Sequence, residues 1–153
     1  MMSDRQIDIL LVEDNASDSE LILRALKKTE LCQQIESVRD GAEALDYIFC
    51  SGRYKNRSEE DLPTFILLDL KLPKIDGLEV LKRIKVESRT RSIPVVVFTS
   101  SQEPRDIVES YRFGVNSYIV KPVDYAEFNN TVRSIASYWL SFNQSSSIKR
   151  LYQ

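Results

Sequence analysis

The sequence contains no histidine, which removes the commonest general base, the commonest transition-metal ligand and any Ser-His-Asp or Cys-His arrangement. A phosphohistidine on this chain is equally impossible. Cysteine is nearly as scarce: Cys32 and Cys50 fit no CxxC or other metal spacing, and two thiols are too few to staple a domain of this size. The 4 glycines and 5 prolines among 153 residues exclude collagen-like and low-complexity chains. Apolar stretches such as Ile9 to Val12 and Ile93 to Phe98 fall far short of the roughly 18 residues of a membrane span. Met1 to Asp8 mixes both charge signs and does not read as an export signal, so a cytoplasmic chain without a membrane partner is expected. Neither charge dominates: 21 basic against 23 acidic residues leave a net −2, no footprint for nucleic acid or anionic lipid. Neither GxGxxG nor GxxxxGK[ST] occurs, which argues against a nucleotide site.

What is present is a regular alternation of short apolar runs and helical stretches, the pattern of strand-helix units wound into a parallel sheet. Five strands are predicted, at Ile7 to Val12, Ile35 to Val38, Phe65 to Leu68, Val95 to Phe98 and Ser117 to Val120. They are mostly apolar on successive positions, as strands covered on both faces are. The Ser17-to-Glu20 spacing of a capping box predicts a first helix. Apolar residues three and four apart predict a second over Asp40 to Phe49 and a third after Asp76-Gly77. A fourth begins near Glu103-Pro104 and stops at Gly114, and a fifth runs from Asp124. Between Cys50 and Pro63 the polar composition reads as a long surface loop, and the run after about Asn143 as a frayed tail. The expected organisation is one domain over residues 1–142 and a polar tail over 143–153, with no output domain.

In an open parallel sheet, ligands bind beyond the carboxyl ends of the strands. Strand one ends in Glu13-Asp14, strand three in Asp69, strand four in Thr99-Ser100 and strand five in Lys121-Pro122. Three carboxylates, a hydroxyl and an ammonium thus meet at one edge. Carboxylates so close raise one another's pKa unless a cation neutralises them. An all-oxygen set favours Mg²⁺ or Mn²⁺, with Glu13, Asp14 and Asp69 as its carboxylates. Together with Lys121, such an ion balances the three negative charges, and a carboxylate nucleophile for a phosphoryl group becomes credible. Phosphoryl transfer needs positioning and charge neutralisation more than a proton-transferring base, so the missing histidine is no objection. Asp69, alone after a wholly apolar strand, is the expected phosphoacceptor, with Lys121 and Thr99 on the phosphoryl oxygens.

These pieces resemble a known family, the CheY-like receiver domains of two-component response regulators. The resemblance spans about Asp8 to Ala136 and rests on LLVEDN, LLDLKLPKIDG, VFTSS and YIVKPV in that order. It implies a flavodoxin-like, doubly wound (βα)5 fold with a five-stranded parallel sheet and helices on both faces. It also implies a metal held by Glu13, Asp14, Asp69 and the Lys71 backbone carbonyl, a cis peptide bond before Pro122, and phosphorylation of Asp69 by a histidine kinase. A switch follows, in which Thr99 and the aromatic Tyr118 respond to the phosphoryl group. The positions that tune dephosphorylation in that family hold Lys71 and Ser101, neither of which offers a carboxylate or amide to orient water.

The loop before strand three and the aromatic C-terminal extension most resemble the single-domain regulators paired with bacterial and cyanobacterial phytochromes, which implies a phytochrome kinase and output through a surface. A downstream phosphotransfer protein is the expected further recipient. Phe128, Val132, Ile135 and Trp139 form the core-facing stripe of the fifth helix. Tyr125, Tyr138 and Phe142 fall outside it and are assigned to a homodimer surface with helix four and strand five. Arg53, Lys55, Arg57, Lys149 and Arg150 are read as solvated charge. Two other functions compete: a phosphorylation-independent dimeric binding module, and an Mg-dependent phosphohydrolase working through an aspartyl phosphate. The second wants another carboxylate two residues beyond the nucleophile, where Lys71 stands.

Overall fold

The structure, a computed structural model, describes residues 7–32 and 34–146. Five strands, β1 (Ile9–Val12), β2 (Ile35–Val38), β3 (Phe65–Leu68), β4 (Val95–Thr99) and β5 (Ser117–Val120), alternate with five helices. The helices are α1 (Ala16–Lys28), α2 (Gly41–Ile48), α3 (Gly77–Val86), α4 (Pro104–Arg112) and α5 (Tyr125–Ser137). All pairings are parallel and the order is β2-β1-β3-β4-β5, the doubly wound arrangement expected from the sequence. The winding reverses between β1 and β3, the place where such sheets bind ligands.

Alternation along the strands divides the core in two. Leu10, Val12, Ile66, Leu68, Val95 and Val97 face α2 and α3, meeting Ala44, Leu45, Ile48, Val80, Leu81 and Ile84. Ile9, Leu11, Phe65, Leu67, Val96 and Phe98 face the other way, against Ile22, Ala25 and Leu26 of α1 and Phe128, Val132, Ile135 and Ala136 of α5. Both faces of the central strands are therefore dry, which is why these strands read as continuous apolar runs.

Helix starts follow side-chain capping, which satisfies backbone N–H groups left without an intrahelical partner. Asp40, Asp76 and Asp124 cap α2, α3 and α5 through the N–H three residues on. The first helix departs from expectation. Its cap is Asn15, whose side chain accepts from the Asp18 N–H at 2.9 Å, so Ser17 to Glu20 lies inside the first turns rather than forming a capping box. Starting earlier places Asp18 in the first turn, next to the strand ends. At the other end of the chain, α5 gives way to a π-helical turn over Tyr138–Phe142.

The 50–63 segment is more structured than a solvated loop. A 3-10 turn spans Gly52–Tyr54. Arg57, read from sequence as solvated charge, lies over the Tyr47 ring at 3.7 Å and donates to the carbonyls of Tyr47 and Asp61. A planar guanidinium both stacks and donates in several directions, which lets one residue pin the loop. Arg89 donates to the Ile48 and Glu59 carbonyls at 2.6 Å from outside it. Lys149 and Arg150 lie outside the described residues.

The segment after β3 is clamped between two helix starts. A Cβ added at Gly41 would lie 1.8 Å from the Ile75 carbonyl oxygen, and one at Gly77 would lie 2.4 Å from the carbonyl oxygen of Asp69. Backbone passes where a side chain would stand. Gly77→Ala is expected to lower stability by about 2–3 kcal/mol through this overlap, seen in urea unfolding as a lower midpoint with an unchanged slope. A midpoint equal to that of the unaltered chain would contradict the clamp.

Candidate functional site

Register brings the site residues to one level. Val12 pairs with Leu68, and the Asp69 N–H donates to the Val12 carbonyl at 3.0 Å, so Glu13 and Asp69 leave neighbouring strands side by side. Thr99 pairs with Val120, and the Lys121 N–H donates to the Thr99 carbonyl at 2.7 Å. The five residues expected to meet, Glu13, Asp14, Asp69, Thr99 and Lys121, do so. All but Asp14, which is exposed, are buried.

The Lys121 ammonium is the centre of this arrangement. Its Nζ lies 2.8 Å from Glu13 Oε1, 2.8 Å from Asp69 Oδ2 and 2.7 Å from Asp18 Oδ2. An ammonium has three protons to donate, and three carboxylates accept them. Asp69 also accepts at Oδ1 from the Lys71 N–H at 3.2 Å, and the Thr99 hydroxyl is within hydrogen-bonding reach of it. Burial opposes charge on Asp69, but the bonds from Lys121, Thr99 and the Lys71 N–H outweigh it and lower its pKa. Glu13 fares differently. Burial dominates, and its pKa is pushed up to about 7 against the opposing pull of Lys121. Burial also opposes charge on Lys121, yet its bonds to Asp18, Asp69 and Glu13 prevail and its pKa is raised.

One ligand oxygen each from Glu13, Asp14 and Asp69 fall within 4.8 Å of one another. This all-oxygen cluster fits a hard divalent cation, and Asp14, exposed and outside the Lys121 contacts, leaves a face open to solvent.

Ser101, two residues beyond Thr99, links the site to its surroundings. Its Oγ donates to Asp106 Oδ2 at 2.5 Å, and its carbonyl accepts from the Tyr118 hydroxyl at 2.9 Å. Tyr118 thus packs partly buried against the α2/α3 side of the sheet with its hydroxyl tied to the β4–α4 loop. The expected cis bond before Pro122 is corrected: no cis peptide occurs among the described residues. The trans form is favoured at X-Pro by about 0.5–1 kcal/mol, and here it already lets Lys121 make its backbone and side-chain contacts. Tyr125 at the start of α5, and Tyr138 and Phe142 in the π-helical turn that follows it, are exposed.

Sequence reasoning missed Asp18 and the Ser101–Asp106 bond. Asp18 was masked by the capping-box spacing, and the available signal was another acid in the turn following Glu13-Asp14.

Comparison with known proteins gives the arrangement its context: residues 9–133 match the response regulator receiver domain. The chain belongs to this family. Receiver domains accept phosphoryl groups from histidine kinases in two-component signalling. A probable methanogenesis regulatory protein, FilR2 of Methanothrix harundinacea, is 45% identical over 137 residues, covering 90% of this chain and 86% of FilR2. Response regulator Rcp1 of Synechocystis is 40% identical over 132 residues, 86% of this chain and 88% of Rcp1. The Mn²⁺-bound structure of Rcp1 matches this receiver domain with a TM-score of 0.84 at 38% identity, covering 91% and 98% of the two chains. The phosphorylated cyanobacterial phytochrome response regulator RcpA has a TM-score of 0.86 at 41% identity, covering 94% of this chain and 100% of its own. No helix among the described residues is long and apolar enough to cross a membrane.

Removing Lys121 from this receiver domain leaves three carboxylates facing one another. Lys121→Met is expected to cost about 3 kcal/mol in metal-free buffer at pH 8. Without the ammonium the carboxyl pKa values in the folded state rise above those of the unfolded chain. The folded state then binds more protons, and the loss shrinks as pH falls toward 5. Denaturant unfolding at both pH values checks this; a penalty that grows on acidification would contradict it.

Proposed function

We propose that Asp69 is the phosphoacceptor of this receiver domain, and that Glu13, Asp14, Asp69 and the Lys71 carbonyl hold Mg²⁺ or Mn²⁺ beside it. The observation that carries the reading is the contact of Lys121 Nζ with Asp69 Oδ2 at 2.8 Å next to the convergence of three carboxylates. A divalent cation at this place supplies the charge neutralisation that lets a phosphoryl group enter an acidic pocket. Asp69, held ionised by its hydrogen-bond donors, attacks phosphorus with a carboxylate oxygen. The phosphorus–nitrogen bond of the donor phosphohistidine breaks, and the imidazole leaves with the electron pair. Lys121 and the Thr99 hydroxyl then donate to phosphoryl oxygens.

Phosphorylation adds about −1.5 to −2 charge and three acceptor oxygens. The state in which Thr99 is drawn to the phosphoryl group is stabilised, and the Ser101 loop carries this to Tyr118 through the bond between its hydroxyl and the Ser101 carbonyl. The equilibrium shifts by the difference in phosphoryl contacts between the two states. The protein is a phosphoacceptor that signals by contact, not a turnover enzyme. Lys71, exposed two residues beyond Asp69, cannot serve as the second carboxylate of a hydrolase. The similarity to the phytochrome response regulator RcpA supports a phytochrome histidine kinase as donor; a downstream phosphotransfer protein is the further recipient in this reading.

Incubation with Mg²⁺ and acetyl phosphate is expected to add one phosphoryl mass to the unaltered protein and none to Asp69→Asn. With neither Lys71 nor Ser101 able to orient water as a carboxylate or amide would, the adduct decays slowly. Rapid loss in Mg²⁺ buffer would contradict the slow decay, and absence of the adduct with every donor would contradict the acceptor.

The exposed apolar residues Val108 and Tyr111 on α4, with Tyr125, Tyr138 and Phe142 along the α5 segment, form the homodimer surface of this reading. Phe142, 71% exposed, is the most exposed of these aromatic residues, and exposed aromatics are enriched at interfaces. Sedimentation of the beryllofluoride-treated protein is expected to show a dimer that Phe142→Asp weakens. Monomers in both treated and untreated protein would dispose of the surface.

A further inference from the structure

The receiver reading places three carboxylates and one ammonium at the phosphoryl site, and their charges balance once a divalent cation joins them. Asp18 disturbs that balance. Its carboxylate makes the shortest of the three Lys121 contacts, 2.7 Å, and comes from the first turn of α1 rather than from a strand end. It is also the most exposed of the three partners, with 27% of its side chain accessible against 1% for Glu13 and 7% for Asp69. Counting Asp18, the site holds four carboxylates, three of them on the one ammonium, and a divalent cation leaves an excess negative charge where a phosphoryl group must arrive.

Two consequences follow from the geometry. All three Lys121 protons are occupied, so a phosphoryl oxygen competes with carboxylates for the donor. Asp18 also anchors the ammonium toward α1, on a helix whose start is fixed independently by the bond from the Asp18 N–H to Asn15. The backbone of residue 18 is therefore held whatever its side chain. Losing the carboxylate would release one of the three Lys121 protons, with Glu13 and Asp69 still in contact, without undoing the helix.

We propose that Asp18 is a positioning residue that restrains Lys121 and slows phosphoryl entry to Asp69. The inference rests on the acceptor reading above and sets the rate at that same site. In the step it governs with acetyl phosphate as donor, an Asp69 oxygen forms a bond to phosphorus. The bond from phosphorus to the acetyl oxygen breaks, and acetate leaves with the electron pair, with no proton required.

The test compares unaltered protein, Asp18→Asn and Asp18→Glu in Mg²⁺, following the initial rate of adduct formation from acetyl phosphate by mass. Asp18→Asn is expected to react about three- to tenfold faster, a range that allows for solvent screening of a partly exposed pair. Because the effect is electrostatic, the gap narrows as KCl is raised toward 1 M, where the screening length is about 3 Å. Asp18→Glu, which keeps the charge, is expected to stay within about twofold of the unaltered protein. Thermal melting of the three proteins should differ little, since the Asn15 cap is retained. A rate for Asp18→Asn equal to or below that of the unaltered protein, a gap indifferent to salt, or a Glu variant as fast as the Asn one would overturn the proposal. Absence of any adduct on the unaltered protein would instead overturn the acceptor reading, and this inference with it.

Discussion

The ammonium of Lys121 is the constraint on which the rest of the site depends. Carboxylates from β1, β3 and α1 approach within hydrogen-bonding distance of one nitrogen, and without it they would face each other across a buried space. Breaking such a buried arrangement costs far more than removing an exposed ion pair. The site is therefore poised rather than at rest: it tolerates its negative charge only through one cation, and it gains from a second. That is the electrostatic condition a metal-assisted phosphoacceptor needs.

The fold serves this condition through register. Parallel pairing sets the ends of β1 and β3 level, and those of β4 and β5 level, so short polar segments after four strands converge without long connecting loops. Dry packing on both sheet faces keeps those ends rigid. On one side the segment after Asp69 is confined by close backbone approach at Gly41 and Gly77. On the other, the β4–α4 loop is held by side-chain bonds at Ser101. This asymmetry suits a switch. The Asp69 side is confined by backbone, while the β4–α4 loop, which follows Thr99 and meets the Tyr118 hydroxyl at the Ser101 carbonyl, rests on a few bonds that can exchange.

Much of this was legible in the sequence. Apolar runs gave the strands because both faces are covered, and Asp40, Asp76 and Asp124 marked helix starts because a carboxylate there accepts a free N–H. Asp69 and Lys121 stood out because each follows directly on an apolar strand. What escaped depends on tertiary distance. Asp18 looked like part of a helix cap, and only the earlier start at Asn15 turns it toward Lys121. Arg57 looked like loop charge, although the Tyr47 ring lies under its guanidinium. The bond before Pro122 was expected cis by resemblance and is trans, an isomer choice that local sequence leaves open.

The most direct measurement is anomalous diffraction from crystals soaked in Mn²⁺. The account predicts a single strong peak bound by carboxylate oxygens of Glu13, Asp14 and Asp69, with the Lys121 nitrogen still against Asp69. A peak elsewhere, or none at concentrations that saturate ordinary receiver domains, would contradict it.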